Sequence, residues 1–355
     1  MPLPGRLHPK PALRWLAVTA ASLAAGFLLQ RLGGPLPWMI GPLLAFAIAN
    51  AADARLRVPR AARYLGQLLV GTALGLYFTA AVLRSLADLS GWIVLATAFA
   101  LASGLAASRI LVRVGGVDPV TAFFAGTVGG AAEMANQGER HGARVDQVAA
   151  SQVMRVLLVV LLIPLGFQLA GLHGHDVHHA AAVPLQPLAL AGALAFCLVA
   201  GAAAFRLGVP NAWLFGPLLV VAGLTAAGHP PSSVPPWMVN LGQWLIGCSL
   251  GASFSPDFFR GSPRFLLGVV ASGCALIVLC LLGASAIAAL SGIPWPTMAL
   301  ATAPGGIAEM GLTAKLLKLG VPVVTAFHLI RLVVVVTTAG PLFRLLRRLS
   351  VRGDR

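Results

Sequence analysis

The sequence predicts an all-α polytopic membrane protein made of two inverted repeats, each with about five transmembrane helices plus a re-entrant or broken helix. Three observations carry that expectation. Hydrophobic residues make up 58% of the 355 and charged residues only 10%, against about 25% charged in a soluble domain, so this chain cannot cover itself with a wetted surface. Four blocks of sequence occur twice at nearly constant spacing. The basic residues also divide cleanly between two sides of a membrane if one segment per half turns back instead of crossing.

Apolar runs at 13–30, 92–108, 188–205 and 265–290 each approach or exceed the ~20 residues that cross a bilayer as a helix. The first run follows Arg6, Lys10 and Arg14 and so imitates a secretory signal peptide. No small-x-small cleavage site follows it and the chain continues into GGPLPWMIGP, so it is read as an uncleaved first span. The net charge of +15 does not point to nucleic acid. The basic residues lie at the ends of apolar segments and are not gathered into a patch between aromatics. Cys197, Cys248, Cys274 and Cys280 lie inside apolar segments without metal-type spacing and read as small buried hydrophobes.

PLPWMIGPLL at 35–44 returns as PNAWLFGPLL at 210–219, and LGQLLVGTALG at 65–75 as LGQWLIGCSLG at 241–251. GTVGGAAEM at 126–134 returns as TAPGGIAEM at 302–310, and QVMRVLLVV at 152–160 as HLIRLVVVV at 328–336. The offset is 176 residues with one single-residue slip, the mark of a tandem duplication. It divides one integral membrane domain into repeats over 1–175 and 176–355. Six apolar segments fall in each, at roughly 13–31, 36–52, 62–80, 91–112, 119–136 and 147–170, then at 187–206, 210–228, 237–254, 265–290, 294–312 and 322–343.

Six crossings per half would make the repeats parallel and five would make them inverted. If the fifth segment of each half enters and leaves on one side, Arg31, Arg84, Lys315 and Lys318 are the outside basic residues, Arg155 and Arg331 lie within spans, and the other 19 of 25 are inside. Crossing by every segment would leave nine outside. The positive-inside rule therefore favours ten crossings with both termini cytoplasmic. The segment this makes re-entrant carries Gly-Gly-x-Ala-Glu-Met, and adjacent glycines let a chain turn sharply. Such backbone is tolerated at membrane depth only when it is buried in protein or lines a wet cavity. Gly41-Pro42 and Gly216-Pro217 are a second matched pair of interruptions, with a packing kink as the plainer reading.

A charge within the bilayer costs about 2.5–3.5 kcal/mol on insertion scales, so such residues are usually functional or paired. Here they occupy equivalent places. Glu133 and Glu309 follow the glycine pairs Gly129-Gly130 and Gly305-Gly306. Arg155 and Arg331 lie in the sixth segments, with Gln152 and His328 three residues earlier on the same helical face. These ten residues form the expected solute- or ion-binding site. Glycine-turn amides and arginine forks would hold an anionic group, and the glutamates would take up a coupling proton or cation. The competing reading is a structural Glu–Arg pair in each half. HGHDVHH at 173–179 holds enough histidine for a metal site. It has no counterpart in the second half and reads as a solvated linker, so no metal, cofactor or catalytic residue is assigned.

These paired blocks resemble the bacterial AbrB membrane-protein family, which is defined by such a duplication, over roughly 13–345. Members have been labelled ammonia monooxygenases, regulators of gene expression and transporters, and the resemblance implies no established substrate. Inverted repeats with interrupted helices are transporter architecture. The expected function is thus an inner-membrane secondary transporter for a small anionic or carboxylate-bearing solute, not an enzyme, with the lipid bilayer as its other partner, no nucleic acid, and room for a homo-oligomer. An indirect regulatory role is the alternative, and a metal-dependent monooxygenase the least favoured. The topology has a direct test. A periplasm-active reporter fused after Gly174 is expected to be active and one fused after Arg352 silent; reversal of either result would contradict it.

Overall fold

The computed structural model describes residues 11–174, 180, 181, 183–254 and 262–353, which form fifteen helices and no strand. The first half contains α1 (Pro11–Arg31), α2 (Pro37–Ala51), α3 (Arg60–Gly75), α4 (Ala80–Asp88), α5 (Ser90–Arg113), α6 (Pro119–Gly126), α7 (Ala131–Glu139) and α8 (Val145–Leu169). The second contains α9 (Pro187–Arg206), α10 (Ala212–Ala226), α11 (Pro236–Gly251), α12 (Pro263–Ser291), α13 (Trp295–Thr302), α14 (Ile307–Leu316) and α15 (Val321–Gly353). Proline opens several of them, among them α2, α6, α9 and α12, where its missing amide costs nothing. Asp118 caps α6 by accepting a hydrogen bond from the Thr121 amide at 2.9 Å.

Six helices, α1, α5, α8, α9, α12 and α15, are long and apolar enough to cross a membrane. The protein is an all-helical, polytopic membrane protein. The shorter α2, α3, α10 and α11, at 15 or 16 residues, extend about 22–24 Å each, less than the ~30 Å hydrocarbon core. They pack on one another, α2 with α11, α3 with α10 and α3 with α11.

Small residues make these crossings close. A Cβ on Gly41 would fall 2.5 Å from the Gly26 amide nitrogen, and one on Gly216 would fall 2.7 Å from that of Gly201. The Gly-Pro steps therefore do not interrupt α2 and α10, which run through Pro42 and Pro217 as helices. The glycines bring α2 against α1 and α10 against α9. Gly71 meets the backbone of Leu214, and Gly75 that of Leu218. One half-chain later, Gly247 meets Met39 and Gly251 meets Leu43. In both pairs the register advances together, so α3 runs parallel to α10 and α2 parallel to α11.

The corresponding helices α5 and α12 run antiparallel. Gly115 lies on Gly268, the Ser272 hydroxyl donates to the Ala107 carbonyl at 3.0 Å, and Gly283 lies against Phe99. The fifth segments are hairpins of two short helices. The Arg144 amide, just before α8, donates to the Thr121 hydroxyl near the start of α6 at 2.8 Å. The Gly320 amide does the same to Thr297 at 3.3 Å. Each hairpin thus starts and finishes at one place.

Two expected boundaries move. The segment expected at 62–80 stops at Gly75, and a 90° bend leads into α4. The last helix continues beyond 343 to Gly353, because its basic tail contains no helix breaker. The close crossings predict that Gly41→Ala and Gly216→Ala will each lower stability by about 1–3 kcal/mol, since backbone and not a flexible side chain must give way. Gly166→Ala, with nothing within 4 Å, will be neutral. Thermal unfolding in detergent distinguishes the two classes.

Candidate functional site

Each hairpin is a pair of short helices joined by a non-helical turn. α6 ends at Gly126 and α7 begins at Ala131; α13 ends at Thr302 and α14 begins at Ile307. Breaking a helix strands the carbonyls of its last turn, and hydrocarbon offers them no donor. The neighbouring long helix supplies the donors. Arg155 donates to the Thr127 and Gly129 carbonyls, both at 3.0 Å. Arg331 donates to Ala303 at 2.6 Å and Gly305 at 2.7 Å. Both arginines sit ten residues into their helices, which is about 15 Å along the axis and half the ~30 Å core.

The glycine pairs serve space, not backbone freedom. None of the four has positive φ, and Gly130 and Gly306 adopt φ of −69° and −86°. Their sharp-turn role expected from glycine's conformational range is therefore replaced by a steric one. A Cβ on Gly129 would stand 2.7 Å from Met134 Cγ, and one on Gly305 2.9 Å from Met310 Cγ. A Cβ on Gly130 or Gly306 would occupy the place of the Glu133 or Glu309 carboxylate. Each glutamate folds back over the glycine that caps its own helix, as the acid of a capping box does. A negative group there complements the helix N-terminus, and an arginine at the end of the preceding helix complements that C-terminus.

The competing reading, a Glu–Arg pair in each half, is not found among the described residues. Ion pairs among the described residues join Arg55 to Asp53 and Arg144 to Asp146, while Arg155 and Arg331 grip backbone. Each charge therefore complements one side of the helix break.

Both hairpin tips face one cavity of about 700 Å³. Its lining includes Gly129, Gly130, Glu133 and Arg155 from the first half, and Gly305, Gly306, Glu309, His328 and Arg331 from the second. Nine of the ten residues expected at the site are thus brought together. Gln152 is not at the cavity. It is fully buried behind the first turn, and its amide nitrogen lies within hydrogen-bonding distance of the Phe124, Ala125 and Thr127 carbonyls. Its counterpart His328 does line the cavity. There Nδ1 bonds the Val324 carbonyl at 3.0 Å and Nε2 has no hydrogen-bond partner. Glu133 is half-buried, whereas Glu309 is 7% exposed.

Several lining residues were not expected. Arg57, Arg60 and Arg63 form part of the wall, with Gln67 and Asn211 hydrogen-bonded to one another at 2.6 Å. Tyr64 stacks on Trp213 at 5.3 Å beside Phe205. Asn211 was visible as the polar replacement for Leu36 in the matched block, but the arginines read as topological anchors. Of the histidine-rich stretch, 175–179 lies outside the described residues. Among the described residues no three His, Cys, Asp or Glu side chains gather as a metal site.

A family model described as "Transition state regulatory protein AbrB" matches residues 38–347. The chain belongs to the AbrB family. Two AbrB-like relatives align over nearly their full lengths. "Uncharacterized protein YhjN" of Bacillus subtilis (strain 168) is 31% identical, covering 95% of this chain and 94% of its own. "Putative regulator AbrB" of Escherichia coli (strain K12) is 28% identical, covering 93% and 95%. The matched region contains both glycine turns and both arginines. For this AbrB-family chain the carbonyl grip predicts that Arg155→Met or Arg331→Met will lower the unfolding temperature by several degrees, because each stranded buried carbonyl costs about 1–3 kcal/mol. Lysine will restore only part of that, since a point charge cannot span two carbonyls as a planar fork does.

Proposed function

We propose that this protein is a secondary transporter of the bacterial inner membrane for a small anionic or carboxylate-bearing solute. The observation carrying the reading is that both glycine turns and both glutamates reach one cavity about halfway along the long helices. Discontinuous helices that meet at a midplane site are how many secondary transporters bind solute and coupling ion. The glutamates supply carboxylates for a coupling proton or cation, and the reading assigns no chemical step.

The repeats are read as inverted. Antiparallel α5 and α12 support this, because corresponding helices of parallel repeats would point the same way. Parallel pairing of α2 with α11 and of α3 with α10 supports it too, given that successive helices alternate. With α2, α3, α10 and α11 also crossing, the count is ten, with both termini cytoplasmic, and each hairpin re-enters from its own side. The cavity wall comes from the starts of α3 and α10 and the ends of α9 and α11, which all lie on the cytoplasmic side in this topology. The other side is closed by apolar packing of Leu36, Met39, Leu43, Leu74 and Phe78. Solute access is thus inward, and rocking of one repeat against the other would open the far side.

Regulation, the word in one relative's name, fits as a consequence of moving a metabolite. The test is uptake into proteoliposomes together with unfolding temperature across a panel of organic anions. Glu133→Gln and Glu309→Gln are each expected to reduce uptake by more than about tenfold while leaving the unfolding temperature within a few degrees of the parent. Failure of both variants to fold would assign the glutamates to structure alone.

A further inference from the structure

Three arginines of the cavity wall belong to no repeat-related set. Arg57, Arg60 and Arg63 recur every three residues where the chain enters α3; Arg60 and Arg63 lie one turn apart on that helix, and Arg57 precedes it. All three line the cavity; Arg57 and Arg60 are exposed and Arg63 is half-buried. None of them makes a hydrogen bond or ion pair among the described residues. The nearby Arg55, by contrast, pairs with Asp53 at 2.8 Å and lies off the cavity. Arginines at a membrane boundary ordinarily serve as topological anchors toward headgroups. A place in a cavity wall instead aims their charge at whatever the cavity holds.

The duplication makes the set informative. The glycine turns, glutamates and deep arginines all have partners 176 residues away, but Arg57, Arg60 and Arg63 correspond to Ser233, Pro236 and Val239. The two halves therefore share the deep site and differ at its mouth. Counted over the lining residues, five guanidiniums face two carboxylates, with no lysine or aspartate among them. A solute with one negative charge leaves most of that excess uncompensated, one with two charges offsets most of it, and one with three balances it.

We propose that Arg57, Arg60 and Arg63 form a one-sided, anion-selecting mouth through which the cavity takes small solutes carrying two or more negative charges, the di- and tricarboxylates. This rests on the reading of the cavity as an anion-transport site. The mouth acts by potential and not by a fitted contact, so its effect scales with ligand charge: whatever factor a monovalent anion gains, a divalent anion gains squared and a trivalent anion cubed. It also loads solute from the side on which the cavity opens.

The test uses the full chain in neutral-lipid nanodiscs and three probes of rising charge: acetate, succinate and citrate. Affinities are measured for the parent, for Arg57→Gln/Arg60→Gln/Arg63→Gln and for the corresponding triple Lys variant. Expected losses in the Gln variant are about threefold for acetate, tenfold for succinate and thirtyfold for citrate, on the order of three unpaired charges acting across a wet cavity. The Lys variant, which keeps the charges, is expected to stay near the parent. Equal losses for all three probes, or parental binding of acetate as tight as that of succinate, would overturn the charge-selecting mouth and leave the anion site standing. Absence of binding by all three anions would overturn both.

Discussion

A helix that stops halfway through a membrane exposes two sets of backbone groups, the carbonyls of the half that ends and the amides of the half that begins. Water is not there to satisfy either. Most of what is distinctive in this protein answers that single difficulty, twice. An arginine from the adjacent long helix donates to carbonyls of the turn between the two half-helices, and a glutamate three residues past the glycine lies over the start of the next helix. The guanidinium meets the negative pole of one half-helix and the carboxylate the positive pole of the other. The two charges thus stabilise the break without pairing, and both stay at the edge of a cavity.

This also explains the repeated Gly-Gly-x-Ala-Glu-Met. The first glycine gives way to the methionine five residues on, and the second to the glutamate three residues on. Neither is there for a left-handed backbone. The motif is a packing unit that holds a carboxylate at membrane depth while leaving it reachable from the cavity. Its repetition matches the duplicated blocks of the sequence, and both copies line one cavity.

Much of this was legible in the sequence. Composition and apolar runs led to the all-helical membrane class. Loop charge singled out the fifth segments, which are hairpins with their ends together. Nine of ten expected site residues meet. The misses share a cause: sequence shows which residue types recur but not which groups they face. Arg155 and Glu133 look like an ion pair until the stranded carbonyls are seen. Gln152 and His328 occupy matched positions, yet one supports the turn from behind and the other faces the cavity. Arg57, Arg60 and Arg63 looked like anchors because their cavity is walled by helices distant in the chain.

The halves also depart from symmetry. On one side Gln67 and Asn211 sit in a polar wall; on the other Leu36 and Leu74 are packed shut. The most direct test of the central claim, that the two turns share one cavity open to the cytoplasm, is thiol labelling. Single cysteines at Ala132 and Ala308, in a background with Cys197, Cys248, Cys274 and Cys280 replaced, would be exposed to a membrane-impermeant maleimide from either side. Both turns should be modified from the cytoplasmic side. Modification of each turn only from its own, opposite side would contradict the shared cavity.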